Sequence, residues 1–181
     1  MKRLLSLSLA ALLLAGCASS VPGQIRSSTS EFDGTKMLHM KPGWLSEDLQ
    51  LGLVWHSRLP ADSLLMKARV PGAETFADGK SLKFNVDGEI VGFRSVGGGG
   101  GEIEAVESVE GPGGNYYSGG NKTTNTYLVS RAFVERIIEA EDVQVRAVMR
   151  DGLREGEFSQ DGFARARPAF RDFLAEMEAE Q

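Results

Sequence analysis

The chain has 181 residues, of which 41% are apolar and 25% charged, a composition that fits one folded domain and leaves little room for two. Twenty Lys and Arg against 25 Asp and Glu give a net charge of −5, so no basic excess exists to release counterions from nucleic-acid phosphates, and nucleic acid is excluded as a partner class. One cysteine excludes an intramolecular disulfide and a cysteine-built metal site, and two histidines leave little for a multi-histidine one.

Met1-Lys2-Arg3 is a short positive region, followed from Leu4 to Ala15 by Leu, Ala and two Ser without a charge. An apolar run of this length is roughly 18 Å long as a helix, against a hydrocarbon core of about 30 Å. It is too short to span a bilayer and fits the apolar region of a secretory signal. It runs into Leu14-Ala15-Gly16-Cys17, and here the chain resembles bacterial lipoproteins.

The resemblance implies that Cys17 receives a diacylglycerol and that residues 1–16 are cut away as a signal peptide. The new amino end would then be acylated, with palmitate-like chains holding the protein on a membrane. Ala18 and Ser19 follow the cysteine, and the lack of Asp at the second position implies sorting to the outer membrane, facing the periplasm. Processing would leave 18 basic against 25 acidic residues, a net charge of −7. No later segment is apolar for 18 residues, so the lipid is the expected anchor. The body is similar to small envelope lipoproteins in architecture alone, and Cys17 is the one functional residue that the resemblance carries over.

Residues 17–30 read as the lipidated cysteine and a polar tether without periodicity, with an r.m.s. reach of about 20 Å. Residues 31–181 read as a single globular domain. Gly34 to Met40 is a short mixed run ended by Pro42-Gly43. In the stretch from Leu49 to His56, Leu49, Leu51, Leu53 and Trp55 fall on one face of a strand, and Leu64 to Val70 alternates again before Pro71-Gly72. Leu82–Val86 and Glu89–Phe93 flank Asp87-Gly88, the sequence of a type I′ hairpin turn. That turn would set Val86 against Glu89, Phe84 against Val91 and Leu82 against Phe93.

Gly97 to Gly101 is a run of five glycines, and five more follow by Gly120, with Glu102, Glu104, Glu107 and Glu110 between them. Ordering so much glycine is costly in entropy, so about 97–122 reads as a mobile glycine-rich loop with room for one short strand near Ile103 to Val109. Thr126 to Val129 reads as a strand entering a helix, with Ser130 as N-cap and Phe133, Val134, Ile137 and Ile138 as its buried stripe. Val143 to Met149 alternates as a strand ended by Asp151-Gly152, and Leu153 to Phe158 returns as its partner. Pro168 opens a last helix with Phe170, Phe173, Leu174 and Met177 on one face. The expected fold is a single α+β domain, a mostly antiparallel sheet with two helices from the C-terminal half. The alternative is a β-sandwich with peripheral helices.

Motifs that carry chemistry fall short. In Gly119-Gly120-Asn121-Lys122-Thr123 an Asn separates Gly from Lys, which breaks a phosphate-binding loop, and Phe93-Arg94-Ser95-Val96-Gly97 lacks the first Gly of a nucleophile elbow. His39 and His56 are the two imidazole bases, each read first as an ordinary strand histidine. The four glutamates could gather calcium, but the loop spacing for it is missing. Tyr116-Tyr117 offers contact area for a partner. The resulting expectation is a lipid-anchored, non-catalytic binding or structural module with no cofactor and no metal. Its expected partners are the membrane and an envelope protein met through 97–122 or an exposed sheet edge. An envelope hydrolase using His39 or His56 is the alternative.

Overall fold

The computed structural model describes residues 23–106, 109–110, 116–117, 120–158 and 166–181, so Cys17 and the signal region lie outside the described residues. The chain runs β1 (Ile25–Thr29), β2 (Lys36–Met40), β3 (Gly43–Trp44), β4 (Gln50–His56), β5 (Ser63–Pro71), β6 (Leu82–Val86), β7 (Glu89–Phe93), β8 (Glu102–Val106), β9 (Val109–Glu110), β10 (Tyr116–Tyr117) and β11 (Gly120–Ser130). Then come α1 (Arg131–Glu139), β12 (Val143–Met149), β13 (Gly152–Glu157) and α2 (Ala166–Glu180). The larger sheet has the order β1-β2-β4-β5-β11-β8, with β3 beside β4, and the smaller has the order β13-β12-β6-β7. Every pairing between these strands is antiparallel.

Alternation builds the core. Along β5, Leu64, Met66, Ala68 and Val70 are buried while their neighbours are half-exposed. On β6 and β12, Leu82, Phe84, Val86, Val143, Val145 and Ala147 do the same for the smaller sheet. Each large apolar side chain removed from water contributes about 1.5–3 kcal/mol. The Asp87-Gly88 hairpin has the expected register, Leu82↔Phe93, Phe84↔Val91 and Val86↔Glu89. Both turn residues have positive φ, 49° at Asp87 and 91° at Gly88, as a type I′ turn requires.

The helices complete one core with both sheets. The Ser130 hydroxyl accepts a hydrogen bond from the Phe133 amide at 3.1 Å, capping α1. Phe133 then meets Phe84 and Phe93 edge-on, with ring centroids 5.1 and 4.7 Å away. Helix α2 packs on α1 and on β2, β3 and β4, burying Phe170, Phe173, Leu174 and Met177. The helices are therefore part of the core, which gives the α+β domain and not a sandwich with peripheral helices. The sheets are joined by single bridges, Ser95↔Tyr127, Phe76↔Gly100 and Phe76↔Met149, so the strands curl around the shared interior.

Three readings need correction or extension. The expected tether of residues 17–30 contains β1, which pairs from Ile25↔Met40 to Thr29↔Lys36. Residues Arg26 to Thr29 are exposed, so no apolar period marks this strand. It is held by its backbone ladder and by a turn in which the Thr35 amide donates to Asp33 Oδ1 at 2.9 Å. Hydrogen bonds from Thr35 and Ser30 hold the Asp33 carboxyl down at about 2.

Next, Leu49, Leu51, Leu53 and Trp55 share one buried face as expected, and the opposite face of β4 is buried as well. Gly52 lies under Pro42, whose Cα would stand 3.1 Å from any added Cβ, and Val54 is covered between its neighbours. Third, 97–122 holds more than the one short strand expected near Ile103 to Val109: β8 lies there, and β9, β10 and the start of β11 are added to it.

Candidate functional site

The glycine run is a break in an otherwise continuous ladder. After β7 the chain pairs with β11 at Ser95↔Tyr127, and the Val96 amide donates to the Thr126 carbonyl at 2.9 Å. Pairing resumes at Glu102↔Thr124. Five glycines, Gly97 to Gly101, therefore stand opposite a single β11 residue, Asn125, as a wide bulge. The bulge reaches inward at Gly100, which exchanges hydrogen bonds of 2.9 and 3.2 Å with Phe76.

Between the bulge and β11 lies a cavity of about 390 Å³, lined by the glycines, Glu102 and residues 124–126. Asn125 is 5% exposed. Its Oδ1 accepts from the Thr126 amide at 2.9 Å and from the Ser95 hydroxyl. Its Nδ2 is buried without an acceptor among the described residues. A buried donor left unsatisfied costs about 1–3 kcal/mol, so the amide is set to hold one acceptor oxygen. With Glu102 beside it, the pocket suits a neutral carbonyl or a water better than an anion.

Beyond the bulge, the same two segments form an arm. Strand β8 is the edge of the larger sheet and pairs with β11 as far as Val106↔Gly120. Past Lys122, opposite which β5 ends at Pro71, the ladder resumes as β9 and β10 with Val109↔Tyr117 and Glu110↔Tyr116. This ribbon has two strands, and such a ribbon is marginal in water without a further surface to lie on. The arm thus brings together Tyr116 and Tyr117, an edge strand with Ile103 56% exposed, and the bulge.

The chain matches no protein-family model, no curated protein and no solved structure.

The two histidines share the outer face of the larger sheet, one diagonal step apart. His39 stands opposite Val54, and Met37 stands opposite His56. Burial pushes the His39 imidazole below its ordinary value, and Lys67, Arg69, Lys41 and Arg26 push it the same way. That environment favours the neutral ring, and among the described residues no carboxylate is paired with it. His56 Nδ1 is buried without a hydrogen-bond partner among the described residues.

Of the candidate calcium ligands, Glu104 pairs with Arg69 at 3.0 Å and lies opposite Lys122, Glu102 faces Thr124, and Glu107 is outside the described residues. Among the described residues no three His, Cys, Asp or Glu gather closely enough to hold a metal. Ser95 is bound to Asn125 and not poised as a nucleophile. Lys122 and Thr123 belong to a strand and not to a phosphate loop.

Sequence reasoning missed Asn125 and Arg167. Asn125 interrupts the inward series Thr123, Asn125, Tyr127, Val129, and a polar amide at a core position is a readable signal. Arg167 is 2% exposed, donates to the carbonyls of Ala140 at 2.7 Å and Phe158 at 2.9 Å, and lies over the Phe158 ring. It ties the end of α1 to α2, a structural use that no local pattern announces.

Proposed function

We propose that this chain is a bacterial envelope lipoprotein, anchored in the outer membrane through diacylglycerol on Cys17 and facing the periplasm. Its domain is a non-catalytic binding module that meets an envelope protein through the arm of residues 97–122. The observation that carries the anchoring is Leu14-Ala15-Gly16-Cys17 at the end of an uncharged apolar run. Each buried methylene contributes about 0.8 kcal/mol, so two or three acyl chains hold permanently where one would not. The arm supports the binding role, because a two-stranded ribbon and an edge strand offer unpaired backbone groups to a partner chain. The alternative, an envelope hydrolase, draws on two imidazoles that share a face among cations.

The anchoring is tested by Cys17→Ser, which should abolish incorporation of labelled palmitate and leave uncleaved precursor. Palmitate still entering that variant refutes it. The arm is tested by photoreactive residues at Tyr116 and Tyr117 in cells, and by replacing residues 107–119 with Asn-Gly between Val106 and Gly120. A specific adduct from the tyrosine positions, lost function in the shortened chain and intact folding are expected. Closure entropy changes slowly with loop length, so the shorter hairpin closes at least as well. No adduct, together with full complementation by the shortened chain, refutes the arm as the contact.

A further inference from the structure

Around His39 the outer face of the larger sheet collects cations. Arg26 stands directly opposite His39 on β1. Lys67 and Arg69 lie on β5 at positions opposite Gly52 and Gln50, beyond β4. Lys41 follows β2 and joins the same cluster, since all four cations act on the imidazole. Arg69 is held by Glu104. Arg26, Lys41 and Lys67 have no carboxylate within ion-pair distance among the described residues, whereas Arg131, Arg136, Arg146 and Arg154 each hold one. In a chain of net charge −5, three unpaired cations on one sheet face form a local field opposite in sign to the whole.

The chain enters the domain at this cluster. The Gly23 amide donates to the Lys41 carbonyl at 3.1 Å, and the Lys41 amide donates to the Gln24 carbonyl at 2.9 Å. Only residues 18–22 separate Gly23 from Cys17. The six Cα–Cα steps from Cys17 to Gly23 span at most about 20 Å. Screening at physiological salt extends about 8 Å. That reach exceeds the screening range, so the tether does not hold the face in the headgroup field, but it confines the domain close enough to enter that field repeatedly and makes docking an intramolecular step.

We propose that the Arg26, Lys41 and Lys67 face docks on anionic phospholipid headgroups of the leaflet that holds the acyl chains. The inference rests on the anchoring through Cys17. Docking lays β1, β2 and β5 toward the membrane. Val54 and Leu65 face each other on the same side of the sheet, with Val54 buried. Each basic residue near an anionic surface contributes about 1 kcal/mol, or about a fivefold change in the docked-to-free ratio, so removing all three lowers it about 100-fold.

The test uses the full acylated chain in vesicles of phosphatidylcholine alone or with phosphatidylglycerol. Because Cys17 is the sole natural cysteine and is acylated, Ser28→Cys provides one free thiol on β1 for a fluorophore, and Asp151→Cys provides a control at the β12–β13 turn. Headgroup-nitroxide lipid should quench the Ser28 label in the phosphatidylglycerol vesicles and much less in phosphatidylcholine. Quenching at Asp151 should be equal in both. The contrast should vanish in R26Q/K41Q/K67Q, and in the unsubstituted chain at high salt, a measurement that needs no substitution at the cations. A chain that floats with both vesicles but shows equal quenching at Ser28 overturns the docking while leaving the anchor intact. A chain that floats with neither overturns both.

Discussion

The turn at Asp87-Gly88 in the smaller sheet and the bulge at Gly97 to Gly101 beside the larger one both depend on glycine, for different reasons. Gly88 has φ of 91° with open space where a side chain would go. Its glycine serves backbone conformation alone. Gly101 has φ of 106°, and a Cβ there would lie 2.8 Å from Thr123 Cγ2, 3.0 Å from the Thr124 carbonyl oxygen and 3.2 Å from Phe76 Cδ2. Its glycine serves both conformation and close approach. The turn is decided by four neighbouring residues, whereas the bulge is decided by Phe76 and β11, which are distant in the chain.

That difference separates the two by substitution. Gly101→Val should cost the most, on the order of 3 kcal/mol or more, because positive-φ strain adds to overlap with a backbone oxygen that has little room to move. The Phe76–Gly100 hydrogen bonds that join the sheets should loosen with it. Urea unfolding of the full chain measures this, and a loss under about 1 kcal/mol would mean the bulge is not packed as described. Gly88→Val should cost less, about 1–2 kcal/mol, since only the dihedral is wrong. Gly88→Asn should recover most of that, because Asn tolerates the left-handed region. If Gly88→Val and Gly101→Val cost the same, the distinction between turn and packing fails.

The contrast also explains what was legible in advance. In the Asp87-Gly88 hairpin the turn dipeptide and the series Leu82, Phe84, Val86 agree, so register and buried face follow from a dozen residues. The same agreement makes Ser130, Phe133 and Ile137 readable as a capped helix. In β1 and β8 it is missing. Ile25 is the one apolar residue of β1, and in β8 Glu102, Glu104 and Val106 share one side and Ile103 and Ala105 the other, beside a glycine run. Their backbones pair because neighbours present a ladder, a cause that lies outside the segment. The candidate site was legible to the same degree. Leu14-Ala15-Gly16-Cys17 is a local motif and could be read, whereas the Asn125 pocket and the cations around His39 arise when distant strands are laid side by side.

The outer faces of the two sheets differ in charge as the two glycine sites differ in packing. On the smaller sheet Arg146 and Glu155 face each other across β12 and β13 and pair, so that face carries its own neutralisation. On the larger sheet His39 faces Arg26, Lys41, Lys67 and the Glu104-bound Arg69, with Met37, Val54 and His56 as its other neighbours on that face. Burial first, and the cations second, lower the folded affinity of His39 for a proton. Between that lowered value and the ordinary one near 6.5, the unfolded chain binds more protons than the folded one, so stability rises with pH across the window and is lost as pH falls. The effect is the smallest of the three, because the ring is half-exposed and solvent screens it. His39→Asn should flatten the dependence of the urea midpoint on pH below about 6.5. A variant with the native slope would mean that neither burial nor the surrounding cations lowers the proton affinity of the imidazole.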